Sequence, residues 1–130
     1  MSFTLWCLFF AALLLVLTKV PVFIAMSRED KGYDNAHPRD QQASLTGWGA
    51  RAMAAHSNMF EAFPLFAAAV LVVHVTGTVG MLANWLAGAF IVARIVYTFL
   101  YLVDRSTLRS LVWGIGFLSC LAMLLLPAMR

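Results

Sequence analysis

Apolar residues along this chain come in four long blocks, not at the alternating or helical period of half-buried elements in a water-soluble fold. The blocks run from Phe3 to Met26, from about Ala52 to Val75, from about Met81 to Val103 and from about Leu108 to Pro127. Each holds about 20 residues or more, the length an α-helix needs to cross a hydrocarbon layer roughly 30 Å thick. In lipid the backbone must satisfy its own hydrogen bonds, which selects helices over strands. The pattern predicts an all-α protein with transmembrane helices at about 3–26, 50–75, 80–103 and 108–127. Pro21 and Pro64 fall inside the first two, where membrane helices tolerate proline. The first block has no basic leader, is too long for the apolar part of a signal peptide, and precedes no small-residue cleavage site. It is expected to be a retained helix.

The polar connections are unequal. A long one, about 27–49, separates the first two helices, while Thr76 to Gly80 and Asp104 to Thr107 form tight turns between the others. Short connections imply antiparallel neighbours, so the expectation is a single domain over 1–130, an integral membrane four-helix bundle with up-down-up-down topology. No internal repeat or low-complexity tract interrupts it.

Composition agrees with this reading. A soluble domain is about half apolar; here the apolar fraction is 62% and the charged fraction 12%, with a mean hydropathy of +0.85. Membrane lipids are therefore the expected surroundings. The net charge of +3 is clustered, but with no basic stretch and almost no polar face nucleic acid is not an expected partner. Its placement predicts an orientation. Arg28, Lys31 and Arg39 lie in the first connection, Arg51 just after it, and Arg105 and Arg109 at the third, whereas the second connection has no Lys or Arg. By the positive-inside rule the first and third connections face the cytoplasm, and both termini lie on the non-cytoplasmic side. Trp6 and Trp85 then mark the outer interface, and Trp48 and Trp113 lie towards the inner one.

Cys7 and Cys120 fall inside the first and fourth helices and read as small buried apolar residues, away from the basic cluster. No metal site is expected. His37, His56 and His74 show no ligand spacing, the last two being about 27 Å apart along one helix at 1.5 Å per residue.

The informative residues are the charged and amide groups within the membrane blocks, which are costly in lipid and by default face the bundle interior at a functional site. In the second helix Arg51 and Asn58 lie within about 20° of each other, with Glu61 about 60° away on the same side. On the third, Arg94, Thr98, Tyr101 and Arg105 fall within about 40° of one another, flanked by Tyr97. Glu61 and Arg94 match in depth, each about two turns from the cytoplasmic end. Two readings compete. One is a structural Glu61–Arg94 ion pair with Asn58 as interhelical glue. The other is a pocket for a charged, peptide-like ligand, with arginines for carboxylates, Asn58 and Glu61 for amide and amino groups, and tyrosines for stacking.

The segment AHSNMFEAFPLF, with Asn58, then Glu61, then Pro64, resembles a signature of the membrane-associated proteins in eicosanoid and glutathione metabolism, the MAPEG family. Arg94-x-x-Tyr97-x-x-x-Tyr101, followed by Arg105 and Arg109, is similar to a second signature of that family. The resemblance spans the four-helix layout of essentially the whole chain. It implies a homotrimer that binds glutathione, as co-substrate, between neighbouring subunits near the cytoplasmic face. Residue by residue it carries over to Arg51, Asn58, Glu61, Arg94, Tyr97, Tyr101 and one of Arg105 or Arg109.

What the resemblance implies chemically is a glutathione-dependent transferase or peroxidase. The thiolate, not the thiol, is the nucleophile, and a cation beside the sulfur would activate it towards a lipophilic small-molecule electrophile arriving through the bilayer. Arg105 or Arg109 is the expected catalytic cation, since both lie where the third connection meets the membrane. Positions where eicosanoid-forming members carry a further arginine are Ala54 and Ser57 here, and the first connection is longer and more polar than in those members. These differences resemble bacterial-type members, which implies the inner (cell) membrane. The alternative is a non-enzymatic membrane protein on the same scaffold that binds a lipid, quinone or protein partner. A small transporter is a third reading, but a single polar cluster in one half of the bundle makes no continuous path.

Overall fold

The computed structural model describes residues 1–129. Four stretches are long and apolar enough to cross a membrane: Phe3–Ser27, Gly47–Val75, Met81–Leu102 and Ser106–Met129. The helices are α1 (Phe3–Leu17), α2 (Lys19–Ser27), α3 (Pro38–Ser44), α4 (Gly47–Val75), α5 (Met81–Leu102) and α6 (Ser106–Leu125), followed by a 3₁₀ turn at Leu126–Met129. Among the described residues there is no strand. The protein is an all-α, four-span membrane bundle. The longest helix, α4, is its hub and touches every other α-helix.

The first span departs from the single helix expected. It breaks at Thr18, between α1 and α2. Pro21 has no N–H to offer the Leu17 carbonyl, and its ring crowds that carbonyl. Thr18 repairs the break from both sides: its backbone N–H and its hydroxyl both donate to the Leu14 carbonyl, at 2.9 and 2.8 Å. That hydroxyl has one proton, so its lone pair accepts from His56 Nδ1–H on α4 at 2.9 Å. The bond pins the broken helix to the hub. Pro64, by contrast, sits within an unbroken α4.

The first connection is also more ordered than a polar loop over 27–49. Pro38 opens α3 at a position where a missing N–H costs nothing. Asp34 Oδ1 accepts from the N–H groups of Ala36 and His37, both at 3.0 Å. Gln41 Nε2 donates to the Met26 and Gly32 carbonyls at 3.2 and 2.9 Å, and its Oε1 accepts from Asp34 N–H at 2.9 Å. One glutamine thus staples the connection to the end of α2. α4 then begins at Gly47, earlier than the apolar pattern alone suggests. Near its start Gly49 lets α2 come close: a Cβ there would lie 3.0 Å from Ala25 Cβ and 3.3 Å from a Leu45 methyl.

The two tight turns share one device. After α4, Thr78 N–H donates to the Val73 carbonyl and Gly77 N–H to that of His74, with Gly77 at φ 68°. After α5, Arg105 N–H donates to the Leu100 carbonyl and Asp104 N–H to that of Tyr101, with Asp104 at φ 59°. Both are Schellman closures, in which a left-handed residue lets the chain fold back and cover the helix's last carbonyls.

Two clusters hold the bundle together. The larger joins Cys7 and Ala11 of α1, Met59, Phe66, Val70 and Val73 of α4, Ala87 and Phe90 of α5, and Cys120 and Met123 of α6. At its centre the Phe66 and Phe90 rings stack face to face, with centroids 4.0 Å apart and planes 4° off parallel. The smaller cluster packs Val22, Ala25 and Met26 of α2 against Leu45 and Ala52. Small residues in both let the helices approach closely. Large apolar side chains such as Phe9, Phe10, Leu71, Trp85 and Leu118 face outward, as a bundle solvated by lipid requires.

Candidate functional site

Two turns of α4, the middle of α5 and the middle of α6 line a cavity of about 160 Å³. Its polar lining is Asn58 and Glu61 from α4 and Arg94 from α5; its apolar lining includes Leu65, Phe90, Trp113 and Phe117. Helical geometry delivers this arrangement. Asn58, Glu61, Ala62 and Leu65 recur at three- and four-residue spacings and so share one stripe of α4. Gly116 on α6, opposite Ala93 and Phe90, keeps that wall thin.

Arg94 is the unusual member. Its residue is only 2% exposed, and its Nε and Nη2 are buried without a hydrogen-bond partner. The Glu61–Arg94 ion pair, one of the two competing readings, is not formed: among the described residues the one side-chain ion pair within 4.0 Å is His37–Asp34. Glu61 instead accepts from Asn58 Nδ2 at 3.1 Å, which leaves Asn58 Oδ1 buried and unpartnered. Removing a charge from water without a counter-charge costs several kcal/mol, yet the sequence keeps Arg94. An incoming anion would find two guanidinium donors already desolvated, and a donor group beside it would find the free Asn58 Oδ1 as acceptor.

Behind Arg94 runs a ladder of cations and rings. Its Cζ sits 4.3 Å over the Tyr97 ring, Tyr97 meets Tyr101 edge-on at 5.7 Å, and Arg109 Cζ stacks 4.0 Å over Tyr101. Each contact is of the cation–π or edge-to-face kind, worth about 0.5–2 kcal/mol. The ladder carries the polar line from the buried cavity out to the α5–α6 turn.

Arg105 stands apart from it. Sequence spacing put Arg105 on the same stripe as Arg94 and Tyr101, but α5 ends at Leu102. Arg105 is instead the residue whose N–H closes the Schellman turn, and it precedes the first residue of α6. Its side chain is exposed beside Asp104 and Ser106. The structure therefore gathers Asn58, Glu61 and Arg94 around the cavity, sets Tyr97, Tyr101 and Arg109 behind it, and leaves Arg105 outside. Arg51 lies two turns before Asn58 with a buried, unpartnered Nε, but does not line the cavity.

Cys120 is buried, as expected, but not away from the basic groups. It sits in the cavity wall, 1% exposed, with the buried polar groups of Arg94 lining the same space. Sequence separation between α5 and α6 hid that neighbour. The apolar wall was equally illegible, because Trp113 and Phe117, stacked at 5.1 Å, look like any lipid-facing aromatics. Only their i, i+4 spacing marks them as a pair.

Four membrane-length helices around a mostly apolar cavity with Asn58, Glu61 and Arg94 in its wall define a polytopic helical membrane protein. The sequence pattern of the MAPEG family matches residues 3–129, and the chain belongs to that family, whose members are membrane proteins of glutathione and eicosanoid metabolism. No curated protein and no solved structure matches the chain significantly.

Proposed function

We propose that the protein binds glutathione in the cavity between α4, α5 and α6 and activates its thiol for reaction with a lipophilic electrophile drawn from the membrane. The observation that carries this reading is Arg94: a buried guanidinium with two unpartnered donors matches a ligand carboxylate. Asn58 and Glu61 supply an amide and a carboxylate for the ligand's amide and amino groups, and family membership supports the choice of tripeptide. The cavity of about 160 Å³ holds part of such a ligand. The remainder lies in the mouth, which a neighbouring subunit closes in the proposed homotrimer.

Bound glutathione supplies a thiol whose anion attacks the electrophile. The chain's own contribution is positioning and charge. Arg94 and Asn58 hold the peptide, Tyr97 and Tyr101 keep the two arginines in register, and Arg109 presents positive charge near the turn, where it favours the thiolate. Arg109 is preferred to Arg105 because it is stacked on the ladder. Trp113 and Phe117 offer the electrophile an apolar approach from lipid. In a bacterial cell the protein would sit in the inner membrane, with the cavity end towards the cytoplasm.

The test is calorimetric titration of glutathione into the detergent-solubilised protein. Wild type should bind, and Arg94→Met should weaken binding about 30-fold or more, from the roughly 2–5 kcal/mol that truncating one side of a buried charged contact costs. Glu61→Ala should weaken it as well. Wild-type protein that is folded but does not bind glutathione would overturn the reading in favour of a non-enzymatic protein on the same scaffold.

A further inference from the structure

Cys120 lines the cavity together with Arg94, and the proposed binding of glutathione leaves its sulfur without a role. Trp113, Gly116, Phe117 and Cys120 recur on α6 at three- and four-residue spacings and share one stripe of that helix. Trp113 and Phe117 are 43% and 37% exposed on the outer surface of the bundle, whereas Cys120 is 1% exposed. The thiol is therefore reached through the cavity, past two rings that face lipid. Cys7 is also buried and shares the larger apolar cluster, but it is not part of the cavity wall.

By itself a buried cysteine is a small apolar residue. Here a second group shares its chamber. Arg94 is 2% exposed and keeps Nε and Nη2 buried without a hydrogen-bond partner. A cation in the same cavity favours the thiolate, which is the nucleophilic form, and its free donors suit an oxygen on which negative charge develops. A reagent that uses both groups has an electrophilic carbon for sulfur and a carbonyl oxygen for the guanidinium. It also has no charge to oppose its passage from lipid past Trp113 and Phe117. A small α,β-unsaturated carbonyl compound has all three properties. We propose that Cys120 is a covalent modification site for compounds of this class. Sulfur bonds to the β carbon, and the double-bond electron pair shifts through the carbonyl to its oxygen, which accepts from Arg94. The proton lost by the thiol ends on the α carbon, so the reaction is a net addition with no leaving group and no change of oxidation state overall. The adduct occupies a space of only about 160 Å³ and takes up the free Arg94 donors, so modification closes the chamber. The addition needs the thiol, Arg94 and the cavity alone; only its effect on glutathione rests on the proposed function.

The test is timed treatment of the full-length protein in detergent with N-ethylmaleimide, below the unfolding midpoint, followed by intact-mass measurement and peptide mapping. Wild type should gain one adduct, on Cys120 and not on Cys7. Arg94→Met should slow the addition about tenfold or more, the low side of what losing a donor to a developing oxyanion costs, and Arg94→Lys should recover most of the rate. Folded wild type that stays unmodified, equal reaction at the two cysteines, or an unchanged rate in Arg94→Met would each overturn the proposal. A second readout follows glutathione by calorimetry. Modified wild type should bind it at least about tenfold more weakly than the untreated protein, whereas treatment should make no difference to Cys120→Ala. Undiminished binding by modified wild type would overturn the closing of the chamber. Protein that is modified at Cys120 as described but never binds glutathione would support this inference and overturn the proposed function instead.

Discussion

Among individual residues Arg94 separates folding from function most cleanly. A buried cation without a counter-ion does not stabilise the apo protein, and replacing such charges with apolar groups of similar size is often neutral or favourable. Arg94→Met should therefore leave the thermal midpoint in detergent unchanged or raised while glutathione binding falls, a divergence that light-scattering melts and calorimetry together would show. The two turn arginines should also diverge. If Arg109 carries the activating charge, thiolate absorbance on adding glutathione should disappear in Arg109→Gln and persist in Arg105→Gln; the opposite result would return the role to the turn. The polar members of the site were legible in the sequence because charge in an apolar block has few reasons to be there. Cys120, Trp113 and Phe117 were not. Apolar residues in an apolar segment carry no mark of which neighbour they meet, and the helical register that misplaced Arg105 failed because a left-handed Asp104 ends α5 within three residues of it.

At the level of elements the four spans could be read from block length alone, since lipid allows a backbone few alternatives. The break at Thr18 and the helix within the first connection could not. They depend on one proline meeting one threonine and on one glutamine reaching three backbone groups, local hydrogen bonding that hydropathy does not register. The α2–α4 crossing gives a direct check on packing. Ala25 Cβ belongs to a helix backbone and cannot swing aside, so Gly49→Ala must push the helices apart. It should cost about 1–3 kcal/mol, seen as a lower unfolding midpoint, and Gly49→Val should cost more. Gly114, where an added Cβ would meet open space, is the matched control: Gly114→Ala should be neutral or slightly stabilising through better helix propensity.

For the whole molecule the open quantity is direction. Basic residues predict that the first and third connections face the cytoplasm, and the chain provides its own background for testing it. Both native cysteines are buried, so Asn35→Cys, in the exposed part of the first connection, should be the main reactive thiol. A membrane-impermeant maleimide should label it in inside-out vesicles and not in intact cells; labelling of intact cells would reverse the topology.

The Phe66–Phe90 stack has a consequence at this scale. Phe90 is part of the cavity wall, and behind it Phe66, Val70, Val73 and Met123 are buried in the larger apolar cluster. On the proposed reading a ligand therefore enters and leaves by the same mouth, and product would return to the leaflet and aqueous face that supplied its precursors.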